Sequence, residues 1–365
     1  MTFPLDDFIK EAKAQGHSDE FIQNTKNYAE KLVSKNLPVI FSIAHLSILA
    51  RANVKLTYRI CSHDRLRYYE RFKLKKRRGG FRVIQNPTGQ LKHLQKWILN
   101  NILENVPSHL SCKGFDKGTS IKQNAQQHLN AQCILKIDLL RFYDSINEKR
   151  LYGIFESLGY HKNLAVSLSK LCTVCPNDVF MQSFKKNEEE LKQKILQSEE
   201  GVLPQGAPTS PKLSNLISRR LDERLTKLCE KNNLKYSRYA DDLTFSGEEE
   251  VLRKIKSTIY RIIRDENFYV NYGKTQFLKR GSRYFVTGLS VHNDKVKVPR
   301  KMKKNIEHHL FHCKNSGVTE HKITGNIQNR NFKDWLFGCI CFVNDVEPEI
   351  ALVYYKQYNE INWPL

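Results

Sequence analysis

The sequence predicts an α+β fold in which helices surround a small, mainly antiparallel sheet. Apolar residues recur at helical spacing in several long stretches, among them 90–105 and 251–263. Short apolar runs next to turn residues, at 131–138 and 234–246, predict strands. With 365 residues, of which 40% are hydrophobic, the chain is long enough for two or three subdomains and a sizeable core.

The first part of the chain begins with helices and continues into a basic hairpin. Residues 1–55 have an amphipathic helical pattern and are expected to form an N-terminal extension. The stretch 71–82, RFKLKKRRGGFR, carries seven basic residues and no acidic one, and Gly79-Gly80 predicts the tip of a hairpin. Such a hairpin is either a solvated sheet edge or a finger that contacts phosphate.

A buried strand and a helix are expected next. The run AQCILKIDLL begins as an apolar strand, and Ser145 with Glu148 resembles a capping box that starts a helix. Gly159 suits the C-terminal cap of that helix. Residues 176–200 are polar and charged, which predicts an insertion with its own helix. Its role is open between a contact with RNA, a contact with a partner protein, and a tolerated loop.

The remaining elements follow from turn residues and periodicity. In LPQGAPTSPKLSN, Ser210 is expected to cap a helix that the following proline opens. Residues 234–246 predict a strand, a tight turn and a second strand, and 277–291 predict another hairpin. From Pro299 onward the pattern is mostly helical.

The charge of the chain predicts a polyanionic partner. Lys and Arg number 60 against 38 Asp and Glu, which gives a formal net charge of +22. This excess favours nucleic acid, with an anionic membrane surface as the rival. No run approaches the roughly 20 apolar residues that span a bilayer, and the N-terminus has no signal-peptide pattern, so a cytoplasmic protein without membrane partners is expected.

The cysteines and histidines give weaker signals. Nine cysteines with scattered spacing do not predict a disulfide framework, and no second pair matches the Cys172–Cys175 motif as a zinc site. One predicted helix carries a cluster that is either a zinc site or a solvated helix face: His308, His309, His312 and Cys313.

Two adjacent aspartates, Asp241 and Asp242 in RYADDLTFS, stand between two β-prone runs of this basic chain. Like charges side by side repel each other, so a Lys or Arg, a metal ion, or water at an exposed turn is expected beside them. Phosphodiester synthesis with two divalent metal ions roughly 3.5–4 Å apart requires such carboxylates, and Mg²⁺ prefers oxygen ligands. Because the two side chains point in different directions, a third carboxylate from another element is expected.

Asp138 is the best candidate for that third carboxylate. It ends the apolar strand CILKID, where a lone carboxylate is not buried without a cation. Asp144 competes, but it lies beyond the strand, where a capping role is the simpler interpretation. A Tyr-x-Asp-Asp match alone is weak, because paired aspartates at a turn are ordinary turn chemistry. The order of the features strengthens it: a strand-borne aspartate, LPQG, the hairpin, then a basic region.

Together these motifs resemble those of a reverse transcriptase. KIDLLRFYDSI is similar to the first catalytic motif of that family, LPQGAPTSPKLSN to its nucleotide-pocket motif, and YADD to its second catalytic motif. The resemblance spans about residues 70–290 and implies a right-hand polymerase fold with fingers, a palm and a helical thumb. It also implies that Asp138, Asp241 and Asp242 hold two Mg²⁺ ions and catalyse RNA-directed DNA synthesis.

Two further elements resemble the retron branch of that family. The segment from Asn124 to His128, NAQQH, matches its NAxxH element, and the run Val286, Thr287, Gly288 matches its VTG element. The residues alone allow simpler roles: a helix cap, a core-facing histidine and a tight turn. The resemblance implies instead that both elements contribute to RNA binding.

The resemblance also assigns residues to the nucleotide pocket. Tyr143 is similar to the aromatic gate that excludes a ribose 2′-hydroxyl, although either it or Phe142 is also expected in the core. Gln205-Gly206 would shape the pocket, and Arg82 is similar to the fingers residue that clamps the triphosphate, a role that suits its planar fork. Lys274, in YGKTQF, is either the lysine of the following palm motif or a solvated side chain.

The partners that the resemblance implies are dNTPs, a structured non-coding RNA and its RNA–DNA product. Retron enzymes begin DNA synthesis at a 2′-hydroxyl of an internal guanosine, which gives branched RNA–DNA (msDNA), and they act in anti-phage defence beside an effector protein. A basic segment is expected to grip the RNA by its phosphates, through Lys295, Lys297, Arg300, Lys301, Lys303 and Lys304.

The expected domains are an N-terminal extension (1–55), fingers (56–130 with 160–200), palm (131–159 and 201–290) and thumb (291–365). Two rival hypotheses stay open. One is another bacterial reverse transcriptase, of the group II intron or diversity-generating type, and the NAxxH and VTG elements oppose it. The other is a catalytically idle RNA-binding scaffold, which the intact aspartates oppose.

Overall fold

A computed structural model of the chain describes residues 3–62, 65–75, 81–198, 200–279, 284–292 and 294–364. The described residues form seventeen α-helices and nine β-strands. The hairpin tip expected at Gly79-Gly80 lies outside them.

In the described residues the helices occur in runs: four precede the first strand, six lie between residues 138 and 235, and the last four follow the final strand. Those before the strand Cys133–Asp138 are α1 (Leu5–Ala14), α2 (Asp19–Val33), α3 (Ile43–Leu49), α4 (Val54–Cys61), α5 (Gly89–Asn101) and α6 (Ile121–Gln126). The central ones are α7 (Glu148–Leu158), α8 (Lys162–Cys172), α9 (Asp178–Gln182), α10 (Glu189–Ser198), α11 (Ser210–Ile217), α12 (Arg219–Lys231) and α13 (Glu249–Asp265). The last are α14 (Arg300–Asn315), α15 (Val318–Thr324), α16 (Phe332–Val346) and α17 (Pro348–Asn359).

The strands form three small sheets. They are β1 (Tyr69–Lys75), β2 (Phe81–Pro87), β3 (Cys133–Asp138), β4 (Lys235–Tyr239), β5 (Asp242–Gly247), β6 (Gln276–Lys279), β7 (Tyr284–Val286), β8 (Leu289–His292) and β9 (Lys295–Lys297). The sheet orders are β1-β2, β4-β5-β3-β6 and β7-β8-β9. The pairings β1–β2, β3–β6, β4–β5, β7–β8 and β8–β9 are antiparallel. The α+β prediction with a small, mainly antiparallel sheet is therefore confirmed.

The chain divides into two compact units, each built from separate stretches of sequence. The first comprises Met1–Lys117, Asp138–Leu225 and Ser257–Gly273. The second comprises Gly118–Ile137, Thr226–Lys256 and Lys274–Leu365. The first contains the β1–β2 hairpin, and the second contains the other two sheets except Asp138 at the end of β3. The expected division into fingers, palm and thumb stays a prediction.

Each unit has its own buried groups. In the second, the β7–β9 sheet and helices α14 to α17 share one apolar core, which includes Val286, Leu310 and Ile340. In the first, the guanidinium of Arg65 donates to Glu148 Oε2 at 2.7 Å and to Cys175 Sγ at 3.2 Å. The second cysteine of the Cys172–Cys175 motif therefore accepts a hydrogen bond from an arginine.

Several boundaries differ from the expected ones for local reasons. Asn147, not Ser145, caps α7, and its side chain accepts from Arg150 N at 3.2 Å. Ser210 lies inside α11 and its hydroxyl donates to the carbonyl of Pro204. The hairpin expected over 277–291 is divided, because β6 joins the sheet of β3 whereas β7 pairs with β8.

Two expectations about the whole chain can be compared with the structure. All nine cysteines are free thiols in the described residues. Among the helices described, none is long and apolar enough to cross a bilayer.

Candidate active site

The paired aspartates lie at the tip of the β4–β5 hairpin. Tyr239 pairs with Asp242, so the connection consists of Ala240 and Asp241. Ala240 has a φ of 54°, in the left-handed region that residues other than glycine rarely occupy. Below it, the guanidinium of Arg238, which is 0% exposed, donates to the carbonyl of Ala240 at 3.1 Å. A buried cation therefore supports the turn that carries the two carboxylates.

A second cation stands beside the pair. Lys136 Nζ lies 3.6 Å from Asp242 Oδ2, with side-chain exposures of 20% and 37%. Lys136 is on β3, which neighbours β5 in the sheet. Lysine and arginine side chains of the chain itself therefore supply the positive charge expected beside the aspartates. Neither was identified from the sequence, although Lys136 is a charged residue within an apolar strand and shares its strand face with Asp138.

The His128 side chain bridges the two strands of this hairpin through hydrogen bonds. Its Nδ1 lies 2.7 Å from Ser246 Oγ on β5, and its Nε2 lies 2.7 Å from Ser237 Oγ on β4. His128 is 0% exposed, and both ring nitrogens are occupied by protein hydroxyls. Burial, with smaller contributions from Lys235 and Lys136, lowers the pKa of His128 to about 3, so the imidazole is neutral. Its placement gives it an internal role and does not support the RNA contact expected for it.

Asn124 and the VTG element meet each other. Asn124, 1% exposed, donates from Nδ2 to Thr287 Oγ1 at 3.5 Å, and Thr287 donates to the carbonyl of Ile121 at 3.2 Å. Thr287 and Gly288 form the β7–β8 turn with φ values of 47° and 83°. Val286 is 0% exposed in the core. The two retron-like elements therefore join α6 to the β7–β8 turn, and of the five residues expected to contact RNA only Thr287 and Gly288 reach the surface.

Asp138 is held by a short segment of the first unit. Asn271 donates from its backbone amide to the carbonyl of Asp138 at 2.8 Å and from Nδ2 to Asp138 Oδ1 at 2.9 Å. The amide of Leu140 donates to the carbonyl of Tyr269 at 2.7 Å, which extends this pairing past the end of β3. The carboxylate is thereby oriented by an amide that lies far away in sequence, and Asn271 was not identified from the sequence.

The two aromatic residues that follow Asp138 differ in burial. Phe142 is 3% exposed and packs against Phe268, with ring centroids 5.4 Å apart. Tyr143 is half-buried and lies edge-on to Phe142 at 5.5 Å. Phe142 is therefore the core aromatic, and Tyr143 is the one that remains partly accessible.

The LPQG turn packs against the β1–β2 hairpin. The carbonyl of Gln205 accepts from Gln85 N at 2.8 Å. Gly206 has a φ of +123°, and a Cβ there would lie 2.7 Å from Ile84 Cγ2 and 3.1 Å from the carbonyl of Gln85. Glycine is required at this position by both its backbone conformation and the close approach of β2. Arg82, on β2, is exposed, and so is Lys274 in the second unit.

The basic segment surrounds the start of α14. A cavity of about 490 Å³ is lined by Lys297, Arg300, Lys303 and Lys304. The ammonium of Lys303 lies 3.0 Å from both carboxylate oxygens of Glu347, so its charge is balanced within the chain. The other basic side chains of the segment are exposed: Lys295, Lys297, Arg300, Lys301 and Lys304.

The histidine cluster of α14 is only partly packed, since His308 is exposed and His309 and His312 are half-buried. His309 Nδ1 lies 2.9 Å from His321 Nε2, and the His309 ring is edge-on to Trp335. Burial, followed by the neighbouring histidines, lowers the pKa of His309 to about 4. In the part of the chain that the structure describes, no group of three His, Cys, Asp or Glu side chains is arranged to hold a metal ion. The expectation of a solvated helix face is wrong for His309 and for Cys313, which is 3% exposed.

Comparisons with known proteins agree with these motifs. Residues 74–309 match the family model described as reverse transcriptase (RNA-dependent DNA polymerase). The Retron Ec86 reverse transcriptase of Escherichia coli is 34% identical over 80% of this chain and 84% of that protein. The Retron Mx162 and Mx65 reverse transcriptases of Myxococcus xanthus are 34% and 36% identical over 62% of this chain. The chain spans 48% and 52% of those two proteins. Among solved structures, telomerase from Candida albicans is 13% identical with a TM-score of 0.43, over 80% of this chain and 56% of that one.

The internal role of His128 has a measurable consequence for stability. Its folded pKa is depressed, so between about pH 6.5 and 3 the unfolded chain takes up a proton that the folded chain does not. The free energy of unfolding therefore falls as the pH drops below about 6.5. We expect His128→Gln, which does not titrate, to lose up to about 2 kcal/mol less than wild type between pH 7 and 5. Urea unfolding at both pH values measures this difference.

The matched control is His17→Gln, which replaces an exposed histidine. It should reproduce the wild-type pH dependence. Parallel curves for wild type and His128→Gln would show that the buried imidazole is not held neutral.

Proposed function

The chain belongs to the retron branch of the reverse transcriptase family and is an RNA-directed DNA polymerase, and from this premise we propose that it copies a structured RNA by two-metal phosphodiester synthesis. Asp138, Asp241 and Asp242 are the proposed metal ligands. The observation that carries the proposal is the strand order, since β3, which ends at Asp138, neighbours β5, which begins at Asp242.

The residues fit a pair of magnesium ions by the chemistry of their donors. All three are carboxylates, which are the hard oxygen ligands that Mg²⁺ prefers. When bound, the two ions would lower the pKa of the attacking hydroxyl and stabilise charge on the reacting phosphate. Enzymes of this family use divalent metal ions. Lys136 and Arg238 would balance the carboxylates before metal binds, since Lys136 lies 3.6 Å from Asp242 and Arg238 supports the turn.

The nucleotide pocket would be formed by the turn after Asp138 and by LPQG. Tyr143 would lie against the sugar of the incoming nucleotide and exclude a 2′-hydroxyl, which agrees with its partial exposure beside the buried Phe142. Gln205-Gly206 would shape the pocket, because the glycine keeps the turn against β2. Arg82 and Lys274 are both exposed, and we assign them to the triphosphate.

The RNA partner is a proposal of the same kind. Retron reverse transcriptases are the relatives, so we propose a structured non-coding RNA, priming from an internal 2′-hydroxyl, a branched product and a role in anti-phage defence beside an effector protein. Exposed cations next to a cavity of about 490 Å³ support phosphate contacts. The residues we assign to that contact are Lys295, Lys297, Arg300, Lys301 and Lys304, with Thr287 and Gly288 at the adjoining surface.

The aspartates give the first test of this proposal. Each of Asp138→Asn, Asp241→Asn and Asp242→Asn keeps the size of the side chain and removes a negative metal ligand. We expect kcat for dNTP incorporation on a primed RNA template to fall by at least about 1,000-fold, because metal ions contribute several kcal/mol to the transition state.

The matched control is Asp334→Asn, which changes an exposed aspartate of α16 and should leave kcat at the wild-type value. Thermal unfolding should show that all four variants are folded. Wild-type kcat in any of the first three would remove that residue from the metal site.

The proposed gate gives a second test. Tyr143→Val should lower the preference for dNTPs over rNTPs by about 10-fold or more, since a smaller side chain admits the 2′-hydroxyl. Single-nucleotide incorporation with each substrate measures the ratio. Phe155→Leu is the control, because a core aromatic of α7 away from the turn should affect stability and leave the ratio unchanged. An unaltered ratio in Tyr143→Val would contradict the gate.

The basic surface gives a third test. Each lost phosphate contact should reduce the slope of log affinity against log salt by roughly 0.7 to 0.9. The slope should therefore fall by about 2 in the triple variant Lys297→Gln, Arg300→Gln and Lys304→Gln. Titration of an RNA stem-loop at several KCl concentrations measures the slope. The control combines Lys10→Gln, Lys13→Gln and Lys31→Gln on the N-terminal helices. Equal slopes for the two triple variants would contradict the assignment.

A further inference from the structure

Residues 176–200, whose role the sequence left open, contact the turn that follows Asp138. They form α9 and α10 with a short 3-10 helix at Lys186–Glu188 between them. Arg141 of the turn extends into this segment, and its side chain is 17% exposed. The contact lies within the first unit and involves the residues between Asp138 and Tyr143.

The guanidinium of Arg141 is surrounded by acceptors. Its Nε donates to Glu188 Oε2 at 2.7 Å, and its Nη1 donates to Asp144 Oδ2 at 3.1 Å. Nη1 and Nη2 both donate to Ser183 Oγ at 3.2 Å, and Nη2 also donates to the carbonyl of Ser183. The guanidinium carbon lies 3.7 Å from the centre of the Phe184 ring. Two carboxylates balance this one cation, so Arg141 serves to hold the turn and not to bind a triphosphate.

The backbone explains why the turn requires a partner. Arg141 has a φ of 44°, a left-handed conformation that an arginine rarely adopts. The opposite side of the turn is held by the pairing of Asp138 and Leu140 with Asn271 and Tyr269. The contacts of Arg141 with Glu188, Asp144 and Ser183 are called the clamp. The clamp holds the second side of the turn, so the backbone from Asp138 to Tyr143 is held on both sides.

Glu188 is built into its own segment. It is 8% exposed, and Oε2 also accepts from Lys185 N at 3.0 Å. A second contact holds the segment beyond Glu188, since Lys194 Nζ donates to Asn267 Oδ1 at 2.7 Å. A buried carboxylate with an arginine and a backbone amide on the same oxygen is a rigid anchor rather than a solvated loop.

We propose that residues 176–200 are a positioning element of the nucleotide pocket, acting through Glu188 and Arg141 on the turn that carries Tyr143. This rests on the proposed function of that turn. Neither residue contacts substrate in this scheme. Both are positioning residues, and a small displacement of the turn is enough to weaken nucleotide binding, because displacements near 1 Å cost on the order of 100-fold in catalysis.

The test is a double-mutant cycle of Arg141→Gln, Glu188→Gln and both together. The KM for dTTP, kcat, and the preference for dTTP over UTP are measured on oligo(dT)-primed poly(rA). We expect each single variant to raise the KM about 10-fold with kcat changed less than about 3-fold, and to lower the preference. The double variant should be no worse than the poorer single one, because one contact is removed in all three.

Glu190→Gln is the matched control, since Glu190 is exposed on α10, two residues beyond Glu188, and its substitution should leave all three quantities unchanged. Arg141→Lys keeps the charge without the planar fork and should restore part of the loss. Thermal unfolding identifies any variant that fails to fold, and a variant that is only destabilised would keep the wild-type KM and preference.

Wild-type KM and preference in folded Arg141→Gln and Glu188→Gln would overturn this inference. A second outcome would also overturn it: Glu188→Gln binds an RNA stem-loop more weakly while its KM for dTTP is unchanged. The segment would then be an RNA contact. Asp138→Asn, assayed in parallel, separates the two proposals. If Asp138→Asn still polymerises, the proposed function of the turn is wrong. If Asp138→Asn is inactive while the Arg141 and Glu188 variants keep the wild-type KM and preference, only the positioning role is refuted.

Discussion

Adjacent carboxylates repel each other, and the organisation of the second unit follows from holding Asp241 and Asp242 at one tight turn. The repulsion is countered by Arg238 below the turn and by Lys136 on the neighbouring strand. A fully buried arginine is costly to desolvate, so its position under the carbonyl of Ala240 indicates that the turn needs a fixed cation. These two contacts hold the turn within the chain itself, and any metal ions bound at the proposed site would compete with Lys136 for Asp242.

Most of the fold could be predicted from the sequence because its signals are local. The helical periods around 90–105 and 251–263 correspond to α5 and α13, and Gly159 ends α7 with a φ of 118° as expected. The errors are also local in origin. Ser145, the expected cap, and Asn147, the observed one, lie within one turn of each other, and only the backbone geometry of the folded chain decides that Asn147 accepts the hydrogen bond.

The candidate site was predicted less completely, because its supporting contacts join distant parts of the chain. The aspartates, Gly206 and Tyr143 lie in recognisable motifs, but their partners do not. Asn271 lies 133 residues from Asp138, and Ser246 lies 118 residues from His128. Nothing in the spacing of such residues indicates a contact. Arg141 illustrates the same limit, since its ion-pair partner Glu188 lies 47 residues away.

The retron-like elements connect the paired aspartates with the proposed RNA surface, to which they contribute only Thr287 and Gly288. His128, just after α6, holds the β4–β5 hairpin, while Asn124 on α6 holds the β7–β8 turn through Thr287. The β7–β9 sheet then leads, within a few residues, to the cations at the start of α14. A rigid α6 therefore fixes, within the second unit, the position of the proposed RNA surface relative to the paired aspartates. Under the proposed function, such a fixed separation would decide which hydroxyl of a bound RNA reaches the aspartates.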